Sequence, residues 1–132
     1  MSSARGARLA VAILVVATIS SPVFANDAGT GGDAGNSMST ASPLSATNAT
    51  YSGNLSTSDT DDFYSIAMPN GTGLAVGLTS PAGADFDLAL IDSSSFYIDT
   101  SALTTSYDEV TSNGTNVGGT TVYINVEQWT GT

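Results

Sequence analysis

Four stretches of this chain alternate apolar and polar side chains at every second position, and that pattern limits the fold more than any other feature of the sequence. In "FYSIAM" one face carries Tyr64, Ile66 and Met68. "LAVGL" sets Leu74, Val76 and Leu78 against Ala75 and Gly77. "FDLALI" puts Phe86, Leu88 and Leu90 opposite Asp87, Ala89 and Ile91, and "TVYINV" puts Val122, Ile124 and Val126 opposite Tyr123 and Asn125. Successive side chains of a strand point to opposite sides of its sheet, so each stretch reads as a strand with one buried face. Weaker strands are expected at 50–55 ("TYSGNL") and 106–110 ("SYDEV"). The connections "PNGTG" (69–73) and "SPAGAD" (80–85) supply Gly, Asn and Pro, the residues that tight turns require. No part of the chain beyond its N-terminal segment sustains a helical period of about 3.6 residues. Short strands punctuated by turn chemistry predict an all-β sandwich or barrel.

The N-terminal segment obeys a different rule. Arg5 and Arg8 precede the apolar run "LAVAILVVATI" (9–19), and "SSPVFA" then places Val23 and Ala25 three and one residues before a cleavage point. This is the layout of a secretory signal with cleavage expected after Ala25. A membrane span would need about 20 apolar residues, and Ser20, Ser21 and Pro22 interrupt the run before that. The expected organisation is therefore a signal peptide at 1–25, a Gly/Ser/Thr-rich lead-in at 26–49 and a sandwich domain at 50–132.

Charge narrows the functional classes. The 132 residues include 12 Asp and Glu, 2 Lys and Arg, no His and no Cys, for a formal net charge of −10. Both cationic residues, Arg5 and Arg8, lie in the signal segment, so the exported chain has no cationic side chain. Nucleic acid is excluded as a partner because counterion release needs Lys or Arg. An anionic membrane surface repels such a chain for the same reason. Ser-His-Asp and Cys-His catalysis lack their parts, as do the usual zinc sites. Two readings of the acidity stand: solubility in a salty medium, where screening tempers repulsion, or carboxylates that serve as cation ligands.

Several motifs fail on inspection. "GTGGDAG" (29–35) has no lysine and no following helix, so it is not a phosphate loop. "DTDD" (59–62) cannot start an EF-hand, because Tyr64 and Asn70 stand where that loop needs Gly and Glu. It is either a solvated acidic turn or part of a calcium site assembled from separate loops. "YIDTSA" (97–102) is similar to the Asp-Thr-Gly loop of aspartic proteases, but Ser101 replaces the glycine. A plain turn is expected there.

Taken in order, "NDAGTGGDAGNSMSTASPL", "SDTDDFYSIAMPNGTGLAVGLTSPAGADFDLALID" and "GGTTVYINVEQWTGT" resemble the bacterial and archaeal pre-peptidase C-terminal domain family over nearly all of residues 26–132. The resemblance implies a jelly-roll-like antiparallel β-sandwich without catalytic activity, an accessory module of secreted proteins that aids stability, secretion or surface attachment. It implies an extracellular polymer or partner protein as the binding target. It also implies Ca²⁺ as the cofactor, with Asp33 and Asn36 of the lead-in and Asp59 and Asp62 of the acidic turn as metal ligands, and Asp27 and Asp61 as nearby candidates. Two departures stand out. "DAGN" replaces the family's Glu-Pro-Asn-Asp, and a closing strand of the type Gly-x-Tyr-x-Leu is expected after Thr132. The alternative is an N-terminal fragment of a structural cell-surface glycoprotein or of a larger secreted hydrolase.

Export is directly testable. N-terminal sequencing of protein recovered from the growth medium is expected to begin at Asn26. Recovery only in membranes, with residues 1–25 intact, would contradict a cleaved signal.

Overall fold

The computed structural model describes residues 12–17, 27–44, 48–69, 72–112 and 120–129. Arg5, Arg8, the expected cleavage point at Ala25 and the centre of the "PNGTG" turn lie outside them. The alternating stretches become the spine of the fold: β4 (Asp61–Ala67), β5 (Leu74–Thr79), β6 (Phe86–Ile91) and β9 (Thr121–Gln128). The weaker stretches become β3 (Thr50–Gly53) and β8 (Tyr107–Ser112). Three strands were not anticipated: β1 (Ala12–Ala17), the short β2 (Ser42–Pro43) and β7 (Tyr97–Ser101).

These strands form two layers, one sheet in the order β3-β1-β5-β8 and the other in the order β2-β4-β9-β6-β7. The protein is an all-β sandwich, as the alternation predicts. β4, β9 and β6 pair antiparallel in continuous register, with Tyr64 opposite Ile124 and Leu90 opposite Ile124 on its other side. This register puts every expected inward residue on one face. Tyr64, Ile66, Leu88, Leu90, Val122, Ile124 and Val126 are buried, and Leu74, Val76, Leu78 and Val110 meet them from the other sheet. Ile91 was expected on the outer side. It is buried but stands outside the core cluster that the inward residues form.

The stretch expected to be a plain turn, 97–102, is instead mostly edge strand β7. Tyr97, Ile98 and Thr100 favour extended backbone. The true turn lies just before it, where Asp92 Oδ1 accepts from the N–H groups of Ser94 (2.8 Å) and Phe96 (2.9 Å). Asp99, once considered as a catalytic candidate, accepts from the Thr100 and Thr111 N–H groups and so ties β7 to β8.

The lead-in is built into the sandwich rather than trailing from it. β2 runs parallel beside β4, Gly35 bridges Phe63, and Ala34 and Leu44 join the core. The N-terminal strand, β1, lies between β3 and β5 and runs parallel to both.

Truncating the centre of this core has a defined cost. Ile124→Ala, at a fully buried position of β9, is expected to destabilise the fold by about 2–5 kcal/mol. Phe96→Ala, at an exposed position, should change stability by no more than roughly 0.5 kcal/mol. Urea denaturation of the two variants checks the contrast.

Candidate metal centre

Asp27, Asp33 and Asp62 bring carboxylate oxygens within 4.8 Å of one another, the one such acidic group among the described residues. Two come from the lead-in and one from β4. The loop that carries Asp27 is tight: the Asp27 N–H donates to the Gly32 carbonyl at 2.9 Å, and the Thr30 N–H donates back to the Asp27 carbonyl at 3.0 Å. Gly29 and Gly31 take positive φ of 74° and 82° inside it, a backbone region open to glycine at little cost. The glycines of the lead-in therefore fold the chain back on itself and place an aspartate in the interior.

Asp27 is fully buried, and both its oxygens accept backbone N–H groups, from Asn54 at 2.6 Å and from Ala34 at 3.0 Å. It thereby fastens the lead-in to the end of β3. Asp62 is also buried. Its Oδ2 accepts the Tyr64 hydroxyl at 3.1 Å, and its Oδ1 has no partner. Asp33 is the exposed member and faces Asp59, whose own Oδ1 is buried and unpartnered. Gly53 closes the floor. A Cβ there would lie 2.6 Å from the Tyr64 hydroxyl and 3.1 Å from Asp27 Oδ1, so this position leaves no room for a side chain.

The electrostatics follow from burial without counter-charge. Desolvation, opposed by the two N–H groups and joined by the Asp33 charge, raises Asp27 above the ordinary carboxylate range. Desolvation and then Asp59 raise Asp33. Asp62 is pushed up to about 8, first by burial and then by the charge of Asp27. The Tyr64 hydroxyl is raised as well, by burial and by Asp62 beside it. Each carboxylate is held away from its ionised form by the others and by the loss of water. A cation would reverse that balance.

The expected ligands are placed as follows. Asp33 and Asp62 are brought together, and Asp59 stands next to Asp33. Asn36 is exposed. Asp61 points to the other side of β4, where it accepts from Thr60 at 3.1 Å and lies opposite Glu127. Asp27, a secondary candidate by sequence, is the most deeply built of the set. The glycines at 29 and 31 directly behind it are the signal that could have promoted it.

The donor set fits a hard cation. It consists only of oxygens, with a buried carboxylate oxygen lacking any partner. Calcium takes six to eight oxygens at about 2.3–2.6 Å, a number that backbone carbonyls and water can complete. Comparison with protein-family models and with characterised proteins found no match to this chain.

A pH dependence follows for the metal-free protein. Asp62 titrates at about 8 when folded and at its ordinary 3.8 when unfolded, so the folded state holds an extra proton between those values. Stability therefore falls as pH rises through that window. In EDTA the melting temperature is expected to be higher at about pH 5 than at about pH 8. Asp62→Asn should flatten this slope, because an amide does not titrate and its NH₂ can donate to Asp27 or Asp33. An unchanged slope in the variant would place the effect elsewhere.

Proposed function

We propose that this is an exported, non-catalytic β-sandwich module whose fold is completed by Ca²⁺ at the Asp27–Asp33–Asp62 cluster, with Asp59 as an adjoining donor. The observation that carries this reading is the convergence of three carboxylates, two of them buried, together with an Asp62 oxygen, Oδ1, that is buried without a partner. The exported chain has no cationic side chain to neutralise them. A divalent cation supplies the missing charge and links the lead-in, β3 and β4 through one centre. Ordering a glycine-rich segment is entropically expensive, and a metal bridge to the sheet offsets that cost.

The module's role is accessory: it stabilises an extracellular protein or attaches it to a surface. The outer side of the second sheet supports attachment. Tyr97 and Trp129 are exposed there, 67% and 56%, and each lines a shallow groove to which Asp87 also belongs. Aromatic groups left in water at the rim of a polar groove are the ordinary makings of a recognition surface. The lack of His, Cys and Lys throughout the chain supports the absence of catalysis.

Thermal melting with and without calcium tests the centre. A ligand bound only by the folded state adds about 2.7 kcal/mol at a hundredfold excess over Kd, which is roughly 10 °C or more for a domain of this size. NaCl at equal ionic strength is expected to give a smaller rise. Asp62→Asn should raise the melting temperature in EDTA at about pH 8, by removing a buried charge, and yet abolish the response to calcium. Glu109→Gln, an exposed carboxylate on β8, should leave the response intact. If NaCl matches calcium, the acidity is a general surface property and no centre exists.

A further inference from the structure

The four-stranded sheet has a peculiarity that the metal centre does not explain. β1 sits inside it, with Leu14, Val15, Val16 and Ala17 in register with Thr50, Tyr51, Ser52 and Gly53 on one side. On the other side Ala12 to Val16 match Ala75, Val76, Gly77, Leu78 and Thr79. Both pairings are parallel. β3 and β5 therefore run in the same direction with β1 between them, and each has one fastening apart from β1. β5 is paired along its length with β8. β3 is fastened at its end, where the Asn54 N–H donates to Asp27 and Gly53 abuts the Tyr64 hydroxyl.

We infer that the space between β3 and β5 is a strand-acceptor site, occupied in the unprocessed chain by its own signal segment and, after export, by an uncharged apolar strand of a partner polypeptide running antiparallel to both borders. This rests on the proposed cleavage of the signal. Removing β1 exposes facing rows of backbone N–H and C=O groups on β3 and β5, an arrangement that recruits another strand. The segment seated there, "AILVVA", sets the length and the apolar chemistry. Acidic strands are excluded by the 12 carboxylates of this chain. Direction follows from the borders. A parallel insert makes two parallel ladders, whereas a strand of opposite direction makes two antiparallel ones, the better-bonded arrangement and the one already used between β5 and β8. The signal segment is therefore the weaker of the two possible occupants.

The experiment uses the full chain. Val15→Pro removes a backbone donor from the middle of β1 and cannot sit in a central strand, so it empties the site without altering residues 26–132. The probe is the peptide AILVVA flanked by lysines for solubility, with AIPVVA in the same frame as a control of equal charge. The variant is expected to bind the probe at one equivalent, at least about tenfold more tightly than the control. Amide exchange in Thr50–Gly53 and Leu74–Thr79 should slow by roughly tenfold or more on binding. A spin label on the probe's N-terminus should broaden signals near Gly53 and Thr79. Broadening near Thr50 and Leu74 instead would overturn the antiparallel direction, and equal binding of the control would overturn the site.

A second variant covers the case in which Val15→Pro does not fold. The chain has no native cysteine, so Leu14→Cys with Thr50→Cys gives a unique pair at registered positions. Disulfide formation under mild oxidation, suppressed by excess probe but not by control, supports an exchangeable strand. No disulfide in the folded chain, or one that excess probe leaves unchanged, overturns it. Retention of residues 1–25 on secreted protein would show up separately, in N-terminal sequencing, and would refute processing without touching these outcomes.

Discussion

A carboxylate taken out of water, with no cationic side chain among the described residues, has few ways to be satisfied, and this constraint shapes the sandwich from the lead-in to β4. Backbone N–H groups can serve, and Asp27 uses two of them. A hydroxyl can serve, and Asp62 uses that of Tyr64. Once those are spent, the remaining oxygen of Asp62 has only a proton or a foreign cation to turn to. Unpaired buried charge is among the most expensive states a protein can hold. The glycine loop that places Asp27, the close approach of Gly53 to Tyr64 and the order of the strands around them are consistent with a centre whose last ligand comes from outside.

Asp108 shows that burial alone does not make such a centre. It is as inaccessible as Asp27, and its Oδ1 accepts the Ser101 hydroxyl at 2.6 Å and the Leu103 N–H at 3.0 Å. Its Oδ2 is also without a partner. Yet no second and third carboxylate converge on it closely enough to share one ion. A single carboxylate held by a hydroxyl and an amide does structural work: it fastens the end of β7 to β8. The contrast separates a tie from a site, and the difference lies in convergence, not in depth.

The fold was largely legible because it rests on a local periodicity. Residues such as Leu88, Leu90, Val122 and Ile124 declare their side of the sheet by position alone. The register shift of β7 against β6 at Leu90 and Ile91 is a property of two strands together, which neither sequence shows. β7 was missed for a related reason: Asp99 and Thr100 read as turn residues until Asp99 is seen bonding across to Thr111. At the centre, Asp33, Asp59 and Asp62 stood out as carboxylates among glycines or one another. Asp27 ranked lower, since its burial depends on a loop closure from Asp27 to Gly32 and on a β3 that is far away in sequence. The use of the signal segment as a strand was not legible at all. An apolar run suits an export signal and a strand equally well, and only its pairing with β3 and β5 reveals the strand.

The centre and the strand-acceptor site share β3. Asp27 holds its end through Asn54, Gly53 packs on the Tyr64–Asp62 pair, and the same strand borders the space that β1 fills. In the metal-free state, repulsion among Asp27, Asp33 and Asp62 acts on the loop that anchors this border. A cation at the centre would fix the border, and a strand in the acceptor site would fix it from the other side. Two ligands that each favour one ordered position of β3 must favour one another, and by linkage the effect is equal in both directions. The acid cluster would thus do more than tolerate its own charge: in calcium-rich surroundings outside the cell it would ready the sheet for the strand that replaces the signal segment.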